Sequence, residues 1–147
     1  VGGTSWAAVE HYRAKKAGNE FHQRLGANFW NWGIPTAVSL IETVQTVRLP
    51  IIASGGVRSG IDVAKALALG ADLASIALPV LQPATKNSEE VKRTLRFMIE
   101  ELRNAMFLVG AKSIHELREV SVVVTGKTAE WLRVRGFNLE LYAKRKN

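Results

Sequence analysis

Leu49-Pro50-Ile51-Ile52-Ala53-Ser54-Gly55-Gly56-Val57-Arg58-Ser59-Gly60 decides how this chain is to be read. Leu49 to Ser54 is a short apolar run, partly β-branched and without alternation, and so predicts a strand buried on both faces, as in a parallel sheet. Gly55 to Gly60 is a turn, and Ile61 to Leu69, with Val63, Leu67 and an Ala-rich surface, predicts a helix closed by Gly70. Asp72 to Leu78 then predicts a second buried strand. Strands alternating with helices imply parallel β/α units.

The flanks extend the pattern. Ala7 to Ala17 favours helix by composition and is ended by Gly18; Asn19 to Gly33, polar and aromatic, reads as a long loop. Pro35 opens a helix to about Val47, with Val38, Ile41, Val44 and Gln45 on related faces. Pro79 and Pro83 are expected to break the chain. Asn87 and Glu90 resemble a capping box at the start of the longest helix, whose stripe of Val91, Leu95, Met98, Ile99, Leu102, Met106 and Val109 runs to Gly110 and marks a core-facing side. Ser113 and Glu116 mark a short helix start, and another short helix through Trp131 precedes a basic tail.

A complete eightfold barrel takes about 250 residues. With 147 residues and two clear strands, at most four, the expectation is an α/β chain forming the C-terminal part of a (β/α)8 barrel with extra C-terminal helices, residues 1–147 being one portion of one domain. The opening Val1-Gly2-Gly3-Thr4-Ser5-Trp6 fits this, since a Gly-rich stretch normally follows a strand.

With no Cys, the chain has no disulfide framework, thiolate metal site or cysteine nucleophile. No apolar run approaches the roughly 18 residues of a membrane-spanning helix, and no signal-peptide pattern opens the chain, so a cytoplasmic protein without a membrane partner is expected. The formal charge of +7 raises nucleic acid as a partner. Against it, Arg13, Lys15 and Lys16 form one small cluster and Arg133, Arg135, Lys144, Arg145 and Lys146 another, the rest being interspersed with acids, with no RNA-binding aromatic signature or zinc-finger spacing. Solvated surface is the better reading, the tail being solvated or at a subunit contact; anionic small molecules such as diphosphates remain compatible.

At the end of a buried parallel strand, Gly55 and Gly56 let the backbone approach an anion, and their amides with that of Val57 can face phosphate oxygens. Arg58 can add a bidentate contact, and the following helix the positive end of its dipole. Ala77 and Leu78, ending the second strand, offer further amides. Asp62 reads as a charge or cap in the first turn of its helix. His11, His22 and His115 lack the spacing of a metal triad and read as surface residues; Trp30 and Trp32 read equally as a lid or as loop packing.

Gly55 through Asp72 resembles the phosphate-binding end of FMN-dependent (β/α)8 barrels, and Gly2-Gly3-Thr4-Ser5-Trp6 with Trp32-Gly33-Ile34-Pro35-Thr36-Ala37 is similar to the type 2 isopentenyl-diphosphate isomerase family, strongly from Val1 to about Leu81. Hydroxy-acid oxidases carry Asn-His-Gly with a catalytic His where this chain has Gly2 to Trp6, and inosine-monophosphate dehydrogenases need a Cys. The resemblance implies flavin-dependent conversion of isopentenyl diphosphate to dimethylallyl diphosphate in isoprenoid synthesis, with FMN, Mg²⁺ on the substrate diphosphate, NADPH as reductant and a homo-oligomer. It implies that Thr4 contacts FMN, that Gly55, Gly56, Val57 and Arg58 hold its phosphate with Ala77 and Leu78, and that Trp6 sits near the flavin and substrate pocket. The family's catalytic Gln and Mg²⁺-binding Glu have no match here, so the catalytic residues are left open and the remainder of the barrel is an expected partner. The alternatives are another FMN-dependent barrel oxidoreductase, or a basic non-catalytic phosphate- or nucleic-acid-binding module.

Overall fold

The computed structural model describes residues 5–145, which fold as a mostly helical α/β structure. Helices α1 (Trp6–Lys16), α2 (Glu20–Asn28) and α3 (Thr36–Thr46) precede strand β1 (Ile52–Ala53). Then follow α4 (Gly60–Ala68), β2 (Leu73–Ala74), α5 (Leu78–Ala84), α6 (Ser88–Leu108), α7 (Ile114–Glu119), α8 (Gly126–Val134) and α9 (Glu140–Ala143). The expected β/α alternation is present: β1 and β2 pair in parallel, Ile52 opposite Leu73 and Ala53 opposite Ala74, with α4 as the connection.

The helix starts follow from local chemistry. Ser59, Asn87 and Ser113 each accept a hydrogen bond from the amide three residues on, at Asp62, Glu90 and Glu116. Each therefore satisfies a donor that the first turn leaves without an intrahelical partner. Asp62 is the first-turn acid that its sequence suggests, and its carboxylate accepts from the Ser59 hydroxyl and the Arg58 amide.

Helix α4 is buried on two sides, which explains its small side chains. Ala64 and Leu67 face a cluster with Ala111 and Leu117, edged by Leu102, Ala105 and Met106 of α6. Ala66 and Leu69 face a second cluster with Val38, Leu40 and Ile41 of α3, Ala53, Leu132 and Tyr142. Two residues along a helix is a rotation of about 200°, so both faces arise from one i, i+3 pattern shifted by two.

The structure corrects several expectations. The stretch Asn19 to Gly33 is not all loop: α2 occupies Glu20–Asn28, capped by Asn19, whose side chain accepts from the His22 amide at 3.0 Å. It is held by packing on α1, where Gly26 is buried so closely that an added Cβ would lie 2.8 Å from the Ala7 oxygen and the His11 nitrogen. Both strands are two residues long, and they are covered on one face only: Ala53 is buried, whereas Ile52 and Leu73 are each 61% exposed. Residues Ala77 and Leu78 do not end a strand; Ala77 caps α5 and Leu78 begins it, with Pro79 in its first turn and Pro83 inside it. Proline is tolerated in a first turn because its missing amide hydrogen is not needed there.

The α6 stripe faces inward at Met98, Leu102 and Met106, while Leu95, Ile99 and Val109 are exposed. The basic cluster near the end is exposed as expected at Arg133, Arg135 and Lys144, while Arg145 is half-buried and Lys146 lies outside the described residues. Arg145 donates to the Ala68 carbonyl and lies over the Tyr142 ring, 4.6 Å from its centre; Lys144 pairs with Glu140, and Arg135 with Glu42 at 3.0 Å. Burial pushes the Tyr142 phenol up, partly offset by its Gln45 hydrogen bond and the Arg145 charge. Among the described residues no helix is long and apolar enough to cross a membrane.

Candidate functional site

The chain leaves β1 at Ser54 and turns through Gly55 and Gly56, whose φ values of 101° and 80° lie where a Cβ is strongly disfavoured. Two hydrogen bonds fix the turn. The Thr36 hydroxyl, at the start of α3, donates to the Gly55 carbonyl at 2.8 Å, and the Asp62 carboxylate accepts from the Arg58 amide at 3.1 Å.

This loop forms one wall of a cleft of about 710 Å³ that Gly55, Gly56, Val57, Arg58, Ala77 and Leu78 all line. Six of the seven residues expected to bind cofactor thus come together; the seventh, Thr4, lies outside the described residues. Parallel pairing of β1 with β2 is the reason, because it delivers the ends of both strands to the same edge of the sheet.

The donors of the loop differ from the expected set in one respect. At α4, the Gly60 amide donates to the Glu101 carboxylate at 2.7 Å and the Asp62 amide to the Ser59 hydroxyl at 3.1 Å, so these first-turn donors are already used. The amides of Gly55, Gly56 and Val57 have no hydrogen-bond partner among the described residues, nor does the Arg58 guanidinium have an acidic one. Three backbone donors and one cation on a single glycine turn suit a phosphate group. The fit comes from the loop rather than from the helix dipole. That FMN's phosphate end is such a group makes the loop compatible with this cofactor.

Of the opposite wall the sequence offers only Trp30, one of the two residues read equally as a lid or as loop packing. That wall consists of Ser5, Ala8, Val9 and Tyr12 of the α1 segment together with Trp30. Ser5 anchors this wall, its hydroxyl donating to the Trp30 carbonyl at 2.7 Å while accepting from the Ala8 amide at 3.2 Å. The rings of His11, Tyr12 and Trp30 meet edge to face, with centres 5.3 to 5.8 Å apart. The geometry suits aromatic packing. Ser54 and Ser75 also line the cleft, each one residue past its strand. Ser54 is the small polar residue that closes its apolar run, whereas Ser75 lies inside the run from Asp72 to Leu78 and carries no such signal.

The remaining candidates lie elsewhere. Trp6 is 80% exposed and outside the cleft lining, although its neighbour Ser5 belongs to it. Trp32 is equally exposed and packs against Phe29, their ring centres 5.5 Å apart. His22 and His115 are exposed, as expected, while His11 is half-buried and bonded through Nδ1 to the Gln23 carbonyl oxygen at 2.9 Å. Among the described residues no group of three or more His, Cys, Asp or Glu is placed to hold a metal.

The chain is similar to proteins named isopentenyl-diphosphate delta-isomerase. It is 51% identical over 145 residues to that of Methanothermobacter thermautotrophicus, covering 99% of this chain and 40% of the relative. It is 55% identical to that of Methanosarcina barkeri, covering 97% of this chain and 39% of the relative. With that of Pyrococcus furiosus it shares 53% identity, over 99% of this chain and 36% of the relative. The chain therefore spans about two fifths of the length of these curated relatives. Residues 30–124, which include β1, the glycine turn, α4, β2 and α5, match the model of the FMN-dependent dehydrogenases, and the chain belongs to that family.

Proposed function

We propose that this chain supplies the phosphate end of the FMN site in a flavin-dependent isomerase that converts isopentenyl diphosphate to dimethylallyl diphosphate. The observation that carries the reading is the cleft on which Gly55, Gly56, Val57, Arg58, Ala77 and Leu78 converge with loop amides lacking partners among the described residues. The family match favours FMN as the ligand, and the names of relatives at 51–55% identity favour isomerisation over another FMN-barrel oxidation.

In this proposal the chain is the C-terminal portion of an FMN-binding (β/α)8 barrel. A two-stranded sheet with an open face at Ile52 and Leu73, in a chain covering two fifths of its relatives, supports that placement. Thr4 contacts FMN, and Trp6, beside the cleft-lining Ser5, borders the pocket. Bound FMN supplies a reducible ring for reversible proton transfer. The residues of this chain hold and orient its phosphate: amides of the glycine turn donate to the oxygens, Arg58 neutralises charge, and Trp30 with Tyr12 closes the far wall. The proposal extends, on the family resemblance, to Mg²⁺ on the substrate diphosphate, NADPH as reductant, a cytoplasmic location and a homo-oligomer.

The basic-module alternative is less favoured, because Lys144, Arg145 and Arg135 of the terminal cluster are engaged with neighbouring groups. The deciding experiment uses the full-length reading frame, incubated anaerobically with FMN, NADPH, Mg²⁺ and isopentenyl diphosphate, with product followed by NMR. Dimethylallyl diphosphate formed only with reduced flavin is the expected result. Bound flavin without product would point to a different FMN-dependent reaction.

A further inference from the structure

We infer that Thr36 is a positioning residue for the anion site: it selects the orientation of the Gly55–Gly56 peptide that turns the Gly56 amide into the cleft. This rests on the reading of that cleft as a phosphate site.

Two successive glycines leave the peptide between them unusually free to flip, since no Cβ on either side restricts it. The Thr36 hydroxyl removes that freedom by donating to the Gly55 carbonyl at 2.8 Å. The peptide bonds of the described residues include no cis bond. In a planar trans peptide the carbonyl and the amide hydrogen of the following residue point in opposite directions. Holding the Gly55 oxygen toward Thr36 therefore turns the Gly56 amide away from Thr36.

The surroundings of the loop make that direction meaningful. Gly55, Gly56 and Val57 separate two cavities. Thr36 lines the smaller, of about 260 Å³, together with Asp62. Arg58, Ala77 and Leu78 line the larger, which Thr36 does not reach. The Gly55 carbonyl thus belongs to the Thr36 side and the Gly56 amide to the Arg58 side. A flipped peptide would present a carbonyl oxygen to the bound anion, replacing an attraction by a repulsion. On the next turn of the loop, the Asp62 carboxylate holds the Arg58 amide in the same manner. Thr36 and Asp62 together set the loop from behind without touching the anion.

The test compares Thr36→Val, which keeps the shape and removes the donor, with Thr36→Ser, which keeps the donor. Full-length protein is titrated with FMN and with riboflavin, which lacks the phosphate, and folding is checked by thermal melting. Thr36→Val should weaken FMN by about fivefold to tenfold, the weight of one hydrogen bond, and leave riboflavin unchanged. Thr36→Ser should bind FMN as the wild type does. An unchanged FMN preference in Thr36→Val, or equal weakening of both flavins, overturns the inference. A wild-type protein that binds FMN and riboflavin equally overturns the phosphate reading itself, and Thr36 with it.

Discussion

Gly60 and Met98 meet backbone to backbone: a Cβ added to Gly60 would lie 2.0 Å from the Met98 carbonyl oxygen and 2.6 Å from the Glu101 Cβ. The first residue of α4 is thereby pressed into the middle of α6, and Glu101 closes the contact by accepting from the Gly60 amide. This contact fixes where α4 begins, and so where the glycine turn ends.

Gly60→Ala should accordingly destabilise the protein by about 1–3 kcal/mol or more, the usual cost of overpacking where neither partner is a flexible side-chain end. Urea unfolding of variant and wild type measures it. An unchanged midpoint would mean that α4 and α6 do not approach this closely.

Arg58 has no acidic partner among the described residues, so its removal should leave stability nearly intact. Its expected loss is in binding. Arg58→Ala should weaken FMN by about 1.5–3 kcal/mol, the range for a hydrogen bond to a charged group, and spare riboflavin. Gly56→Asp adds a side chain at φ 80° and a negative charge beside the phosphate, and should abolish FMN retention. Full flavin occupancy in a folded Gly56→Asp protein would remove the loop from the site.

Asp72 accepts from the Ile51 amide at 2.8 Å and from Arg118 at 2.9 Å, tying the starts of both strands to α7. The Ile51 hydrogen bond, followed by that from Arg118, holds its carboxyl below the ordinary value of 3.8. A carboxylate with a depressed pKa contributes stability that is fully present above its unfolded value and lost as pH falls through the folded one. Wild type should therefore exceed Asp72→Asn in stability at neutral pH, and the gap should close as pH falls below 3.8. Chemical denaturation across that range would show a constant gap if the charge were irrelevant.

Gly26 allows α1 and α2 to touch, and α1 carries one wall of the cleft. Gly26→Leu should separate the two helices, lower the melting temperature and alter the fluorescence of Trp30. Near-wild-type melting and emission together would contradict the close hairpin.

Local signals were readable because they close within three or four residues. Asn87 with Glu90 and Ser113 with Glu116 each cap a helix by a hydrogen bond across three positions, and Asp62 is a first-turn acid of α4. The glycine turn was readable for the same reason, its residue types carrying their conformational demand with them. Helix α2 was hidden because Gly26 disfavours helix unless α1 rewards the close approach, and α5 because Pro79 and Pro83 read as breakers until their places in it are known.

The tertiary structure alone decided which distant residues meet. Parallel pairing of β1 and β2 brought Arg58 and Ala77 to one cleft, and the α1 segment supplied Ser5 and Tyr12 to its far wall, with Trp30 joining them from beyond α2. Thr36 reaches Gly55 across 19 positions, Arg118 reaches Asp72 across 46 and Arg145 reaches Ala68 across 77. No short stretch encodes such contacts, since each depends on the summed packing of the elements between its partners, whereas a cap or a glycine turn is satisfied by its own neighbours.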